Sequence, residues 1–84
     1  MDQKIKKAVL EAAEEVLGLP IDEMEENMDL DLFENDLIDS IGCASLLALI
    51  SDLIGKELFF EMVSSEDFTS LNTVIAAVER QVRK

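Results

Sequence analysis

Three segments of this 84-residue chain place apolar residues at the spacing of one helix face, and no segment shows the sustained alternation of a β-strand. The three stripes are Ile5, Val9, Ala12, Ala13 and Val16; Cys43, Leu46, Leu47, Ile50 and Ile54; and Leu71, Val74, Ile75, Val78 and Val82. They predict amphipathic helices over residues 2–17, 41–54 and 71–83, each burying its stripe against the others. The length suits a single domain, residues 1–84, with an all-α fold.

Residues that favour helix ends flank the first two stripes. Gly18 and Pro20 follow the first and Gly55 follows the second, since glycine suits the C-terminal cap and proline cannot continue a helix. Asp39 and Ser40 precede the second helix, and both residue types cap helix N-termini. The helix boundaries are therefore marked independently of the apolar spacing.

The predicted last helix has Ser70 as its N-cap candidate and basic residues at its other end, where positive charge interacts favourably with the helix dipole. Those residues are Arg80, Arg83 and Lys84. A short helix is expected just before it, over residues 64–68, capped by Ser64 or Ser65. With this short third helix the chain is predicted to form a small four-helix bundle.

Residues 19–39 form a long acidic segment that we predict to be a loop between the first two helices. Loops of this length in compact domains are usually functional or disordered. Apolar side chains are expected to anchor this one to the core: Ile21, Leu30, Leu32, Phe33, Leu37 and Ile38. The loop is therefore expected to pack on the helices and to be ordered.

The formal net charge is −12, and thirteen acidic residues lie between Ala8 and Gly55 without a lysine or arginine among them. Phosphate binding needs clustered basic side chains, so nucleic acid is not expected as a partner. A basic protein surface would complement this charge, although a solvated face has the same composition. No apolar run approaches the ~20 residues of a membrane span, and the N-terminal segment has no uninterrupted apolar stretch of a secretory signal. We expect a cytoplasmic monomer without membrane insertion.

The chain has no histidine and one cysteine, which excludes an internal disulfide, Ser-His or Cys-His catalysis and the usual zinc sites. A calcium loop would need glycine at its sixth position and glutamate at its twelfth, where residues 29–40 have Glu34 and Ser40. We therefore expect no metal site and no enzyme. Cys43 lies on a core stripe and is expected to be a buried thiol. The phenylalanines Phe59, Phe60 and Phe68 are expected in the core or lining a pocket for a carried group.

Ser40 lies between the acidic loop and the apolar second helix. A serine there can cap the helix, which contributes ~1 kcal/mol. It can also be an attachment point, because the N–H groups and dipole at a helix start favour a phosphate. An attachment point needs no activating histidine, since a second enzyme can supply the chemistry.

The segment "DLIDSI" at residues 36–41, followed by an apolar helix, resembles the attachment motif of the acyl carrier protein family. The resemblance extends to length, helix order, the long first loop, the acidic pI and the short third helix. It implies 4′-phosphopantetheine linked to Ser40 through a phosphodiester, with the cargo held as a thioester on the terminal thiol. Asp39 matches the aspartate that contacts the metal and the phosphopantetheinyl transferase, and Ile41 matches the apolar residue that docks into partner enzymes.

The resemblance also implies that partners read the exposed face of the second helix. That surface is expected to comprise Ile41, Ala44, Ser45 and Ala48, with Glu34 and Asp36 contributed by the loop. Carriers of fatty acid synthesis usually have acids at the positions of Gly42 and Ser45, and both positions are uncharged here. The implied partners are a phosphopantetheinyl transferase and acyl or aminoacyl ligases or transferases.

The longer segment "DLFENDLIDSIG" resembles the D-alanyl carrier proteins of teichoic acid modification, which share the Leu-Phe-Glu run and the glycine after the serine triplet. The chain departs from them later, where Phe68-Thr69 and Leu71 replace an expected Trp-Asp and proline. We therefore interpret the chain as a stand-alone carrier whose cargo is acyl or aminoacyl, with a D-alanyl carrier as the alternative. An acidic helical interaction module without a prosthetic group is the alternative from another class.

Overall fold

The computed structural model describes residues 3–82. In chain order it contains α1 (Gln3–Leu17), α2 (Ile21–Glu25), α3 (Ser40–Ile54), two 3₁₀ turns (Phe60–Met62 and Ser65–Phe68) and α4 (Leu71–Val82). No strand occurs within that range, which confirms the all-α prediction. The expected contributions of residue 2 to the first helix and of Arg83 and Lys84 to the last lie outside the described residues.

The three predicted apolar stripes face one common core. α1 packs against both α3 and α4, so the three longer helices surround a single cluster of buried side chains. All five stripe residues of α3 are buried, as are Ile5, Val9, Ala12 and Ala13 of α1 and Leu71, Val74 and Val78 of α4. The remaining stripe residues, Val16, Ile75 and Val82, are half-buried at the edge. Burial of each large side chain contributes roughly 1.5–3 kcal/mol, so these stripes hold the bundle together.

The segment predicted as one long loop contains the short helix α2. It begins after Pro20, whose carbonyl accepts a hydrogen bond from the Met24 N–H at 3.1 Å. Met24 is buried in the core, although it was absent from the predicted anchors. With five residues, α2 is too short to show a periodic pattern in the sequence, so only its packing reveals it.

The rest of the acidic segment is tied to the start of α4. The Leu32 N–H donates to the Thr69 carbonyl at 2.7 Å, and the Asn72 N–H donates to the Met28 carbonyl at 3.2 Å. Of the six predicted anchors, Leu32 and Ile38 are buried and Ile21 and Leu37 are half-buried. The prediction was wrong for Leu30 and Phe33, which are exposed, because backbone hydrogen bonds hold this segment without needing every apolar side chain.

The predicted short third helix is a 3₁₀ turn at Ser65–Phe68, preceded by the unpredicted turn at Phe60–Met62. The Ser64 N–H donates to Asp67 Oδ2 at 3.0 Å at its start. Ser70 caps α4 as expected, since its Oγ accepts a hydrogen bond from the Thr73 N–H at 3.3 Å. Asp67 also forms an ion pair with Arg80 at 2.9 Å, which links this turn to α4.

The Asp67 contacts predict a pH-dependent contribution to stability. Partial burial opposes ionisation, but the Ser64 N–H and the Arg80 guanidinium outweigh it and lower the pKa of Asp67 below its ordinary value. A lowered folded pKa stabilises the fold above the unfolded pKa of ~3.9 and loses that effect as the pH falls through the folded value. Asp67→Asn should therefore lower the melting temperature by a few degrees at neutral pH and by much less in acid.

Thermal melts followed by circular dichroism between pH 7 and pH 3 measure this difference. Glu66→Gln is the matched control, because Glu66 is the neighbouring exposed acid and has no ion pair within the described residues. If Asp67→Asn lowered the melting temperature equally at pH 7 and pH 3, the charge of Asp67 would contribute nothing to stability.

Candidate functional site

Ser40 is the first residue of α3, and its neighbour Asp39 is the N-cap. Asp39 Oδ1 accepts a hydrogen bond from the Gly42 N–H at 2.7 Å, and the Asp39 carbonyl accepts one from the Cys43 N–H at 2.9 Å. The Ser40 side chain is exposed, and its hydroxyl has no hydrogen bond to any residue in 3–82. The alternative in which Ser40 itself caps the helix is therefore wrong, and its hydroxyl is available for chemistry.

The backbone around Ser40 favours a negatively charged group. The first two N–H groups of α3, those of Ser40 and Ile41, have no hydrogen-bond partner within the described part of the chain. Free N–H groups and the positive end of the helix dipole together attract a phosphate. This arrangement would favour a phosphate-linked group at the start of α3.

Beside Ser40 lies a groove of about 180 Å³. Its lining consists of Phe33, Ser40, Cys43, Phe60, Val63, Ser64, Ser65 and Phe68. Phe68 is buried, and the Phe60 ring packs on it with a centroid distance of 6.3 Å and an interplanar angle of 35°. Aromatic side chains therefore line the groove: Phe33 comes from the acidic segment, and Phe60 and Phe68 come from the two 3₁₀ turns.

The groove changes the roles expected of several residues. Phe60 and Phe68 line it as predicted, whereas Phe59 is 48% exposed and neither lines it nor joins the core. Phe33, expected as a core anchor, is a groove wall instead. Sequence reasoning missed Val63, because a single valine in an irregular segment carries no periodic signal.

Cys43 is buried in the core and is one of the residues that line the groove. Burial, with a smaller contribution from the Asp39 charge, raises the pKa of its thiol. A thiol with a raised pKa stays protonated at neutral pH and is a poor nucleophile. The prediction of a buried thiol at Cys43 is confirmed.

Gly42 lies close to the residues that start α3. A Cβ at this position would lie 3.2 Å from Asp39 Oδ1 and 3.2 Å from Ile38 Cγ1. Both distances are tighter than ordinary van der Waals contact, so a side chain here would press on the capping carboxylate. Any side chain here would require the Asp39 carboxylate or the Ile38 side chain to shift by a few tenths of an ångström, and glycine avoids that shift.

The predicted recognition residues are all exposed. Ile41 is 78% exposed, and Ala44, Ser45 and Ala48 continue from it along the solvent face of α3. Ser51, further along the helix, is half-buried, and its Oγ donates to the Lys56 carbonyl at 2.6 Å. The small-residue surface of α3 therefore ends at Ala48, before the residues that close the helix.

Glu34 and Asp36 are exposed in a turn that precedes α3. Asp31 Oδ1 accepts a hydrogen bond from the Glu34 N–H at 2.9 Å, and the Asp36 N–H donates to the Phe33 carbonyl at 3.1 Å. Asp36 adopts a left-handed backbone with φ of 56°, which aspartate tolerates better than most residues. The turn thus presents its acids to solvent on an ordered backbone.

Within residues 3–82, no group of three or more cysteine or acidic side chains is placed to hold a metal ion. In the same range, no helix combines the length and the apolar character that a membrane crossing requires. The candidate site consists of the exposed Ser40 hydroxyl, the groove beside it and the neighbouring face of α3.

Two curated proteins named D-alanyl carrier protein are similar to the chain. The protein from Lacticaseibacillus rhamnosus is 32% identical over 79 residues, which is 94% of this chain and 95% of the relative. The protein from Lacticaseibacillus casei (strain BL23) is 33% identical over 79 residues, with the same coverage of 94% and 95%. No family model matches the chain, and no solved structure matches it significantly.

Proposed function

The chain belongs to the D-alanyl carrier protein family, a family of the acyl carrier type, and we propose that it carries a D-alanyl group as a thioester on 4′-phosphopantetheine attached to Ser40. Both relatives carry the D-alanyl name, so they favour this cargo over the broader acyl or aminoacyl interpretation. The resemblance described above implies teichoic acid as the eventual recipient.

The free Ser40 hydroxyl is the observation that carries the proposal. Asp39 has taken over the capping role, so Ser40 Oγ can form a bond without weakening the helix. In the attachment reaction, Oγ bonds to the phosphorus of coenzyme A, the pyrophosphate bond breaks, and the nucleotide half leaves. The hydroxyl proton passes to a base of the transferase, because this chain has no histidine.

The groove beside Ser40 suits the attached group. Phe60, Phe68 and Val63 offer apolar surface for its methyl and methylene groups, and the hydroxyls of Ser64 and Ser65 can bind its amides. When bound, the group supplies a terminal thiol that carries the cargo as a thioester. The protein's own part is to orient the group and to deliver it to each partner at high effective concentration.

Asp39 is the proposed contact for the transferase and its metal ion. Oδ1 is engaged by the Gly42 N–H, while Oδ2 has no hydrogen bond within the residues that the structure describes. A carboxylate that is held by one oxygen and free at the other can bind a hard cation without moving. This arrangement supports a double role, in which Asp39 caps α3 and helps to align Ser40 for modification.

The proposed surface for the ligase and the transferase is the helix face of Ile41, Ala44, Ser45 and Ala48, flanked by acids of the preceding turn. Ile41 offers a large exposed apolar side chain next to the attachment point. The small side chains after it allow a partner to approach the helix closely, and Glu34 and Asp36 would complement basic partner residues. The chain itself is a substrate of these enzymes, and the cytoplasm remains the proposed compartment.

Stepwise loading tests the proposal. The purified chain is incubated with coenzyme A, Mg²⁺ and a broad-specificity phosphopantetheinyl transferase, and intact mass should show one added phosphopantetheine. The modified chain is then offered D-alanine with ATP and a D-alanine-activating ligase, or a long-chain fatty acid with an acyl ligase. We expect the D-alanyl adduct only.

Each failure of this experiment has its own meaning. No mass gain in the first step would overturn the carrier role and favour the acidic interaction module without a prosthetic group. A modified chain that accepts only the fatty acid would retain the carrier role and overturn the D-alanyl cargo.

A further inference from the structure

Gln81, near the end of α4, holds the backbone of Phe59 through two hydrogen bonds. The Phe59 N–H donates to Gln81 Oε1 at 2.8 Å, and Gln81 Nε2 donates to the Phe59 carbonyl at 3.1 Å. The two residues are 22 positions apart in the chain. Because one bond runs in each direction, the carboxamide fixes both the position and the orientation of this residue's backbone.

We call the two hydrogen bonds between Gln81 and Phe59 the Gln81 clasp. Phe59 directly precedes the 3₁₀ turn that forms one wall of the groove. The Phe59 carbonyl that Gln81 binds also accepts the Met62 N–H at 3.0 Å, which closes the 3₁₀ turn. Phe60 is the next residue, and its ring lines the groove beside Ser40. A shift of the Phe59 backbone would therefore move the Phe60 ring with it.

The side chains of the turn itself are largely exposed. Phe59, Phe60 and Met62 are 48%, 50% and 55% exposed, so apolar burial anchors the turn only weakly. The preceding residues are held by Ser51, whose Oγ accepts the Leu58 N–H at 3.3 Å. Leu58 and Val63, on either side of the turn, are half-buried against the core. Between them, the turn residues contact the rest of the described chain through the two Gln81 hydrogen bonds and the packing of Phe60 on Phe68.

We propose that Gln81 is a positioning residue for the prosthetic arm: by clasping Phe59, it holds the Phe60 wall of the groove in which the arm attached to Ser40 lies. The inference rests on the proposed function, because the occupant of the groove is the arm on Ser40. It assigns a role at this site to a residue on a different helix that does not itself line the groove. Removing the carboxamide should loosen the groove while the core of α1, α3 and α4 stays intact.

The first test uses the unmodified protein and does not depend on the arm. NMR spectra of wild type, Gln81→Ala and the matched control Glu79→Ala are compared at the Phe60 ring and at the Ser64 and Ser65 amides. We expect shifts and broadening in Gln81→Ala alone, with a cooperative melt. Gln81→Glu should be intermediate, since a carboxylate can accept the Phe59 N–H but cannot donate to its carbonyl.

The second test measures how well the modified protein protects its arm. The arm thiol is alkylated with iodoacetamide and followed by intact mass, with unmodified protein giving the background from Cys43. We expect several-fold faster alkylation in the Gln81→Ala carrier than in wild type or Glu79→Ala. Slow alkylation in wild type, together with an intermediate rate in Gln81→Glu, would show that the hydrogen bonds of Gln81 protect the arm thiol.

The outcomes separate this inference from the proposed function. Unchanged spectra in Gln81→Ala would overturn the clasp as the support of the groove wall. Changed spectra with unchanged alkylation would overturn its role toward the arm. Wild-type protein that cannot be modified at all would overturn the proposed function, whereas the spectra of the unmodified protein would still decide whether Gln81 positions Phe60.

Discussion

Ser40→Ala should abolish the attachment of phosphopantetheine completely and leave the fold intact. The variant lacks the only atom to which the phosphodiester is proposed to bond. Asp39 continues to cap α3 through the Gly42 N–H, and alanine is the best helix former, so the melting temperature should stay within a few degrees of wild type. Intact mass after incubation with coenzyme A, Mg²⁺ and the transferase measures the loss.

Ser45→Ala is the matched control, because Ser45 is an exposed serine on the same helix. Ser45 belongs to the proposed partner surface, but alanine keeps that surface small, so the two variants are compared at the end point of modification. It should be modified as completely as wild type. A mass gain in Ser40→Ala would contradict the assignment and move the attachment to another hydroxyl. A cooperative melt in the unmodified variant would exclude misfolding as the cause of the loss.

Asp39→Asn refines the same experiment by separating capping from charge. Asparagine caps helices about as well as aspartate, so the stability should be nearly unchanged, whereas Asp39→Ala should cost ~1 kcal/mol. The asparagine variant should nevertheless be modified more slowly, because it cannot offer a negative oxygen to the transferase metal. Equal rates for Asp39→Asn and wild type would reduce Asp39 to a helix cap.

Ala48→Glu should block loading of the modified carrier while the domain stays folded. Ala48 is exposed on α3, and both residues form helices well, so the local cost is a few tenths of a kcal/mol. At a close-packed docking surface the same carboxylate would be buried without a partner, which costs several kcal/mol. Because 1.4 kcal/mol is a factor of ten, loading by the ligase should fall by about a hundredfold or more.

Ala76→Glu provides the control, since Ala76 is an exposed alanine on α4, away from the helix that carries Ser40. Its loading rate should equal that of wild type when the ligase is assayed over a range of carrier concentrations. Normal loading of a folded Ala48→Glu variant would show that the partner reads another surface, with the turn of Glu34 and Asp36 as the next candidate.

The core faces of the three long helices and the location of the candidate site could be predicted from the sequence. Each stripe places apolar residues at helical spacing over several turns, so several residues together identify the buried face and one exception does not change the prediction. All five predicted core residues of α3 are buried. Ser40 could be singled out in the same way, because its residue type, its place before an apolar helix and its acidic surroundings all lie within one short segment.

The tertiary structure alone decided which residues around this segment cap the helix, line the groove or enter the core. It assigned the cap to Asp39 rather than Ser40, turned Phe33 from an expected anchor into a groove wall, and buried Met24 from an unpredicted helix. Each outcome depends on a few contacts between residues far apart in the chain or on one choice between adjacent side chains. The Leu32–Thr69 and Gln81–Phe59 hydrogen bonds are of this kind. Such contacts leave no periodic trace in the sequence, because they form only after the helices have brought their partners together.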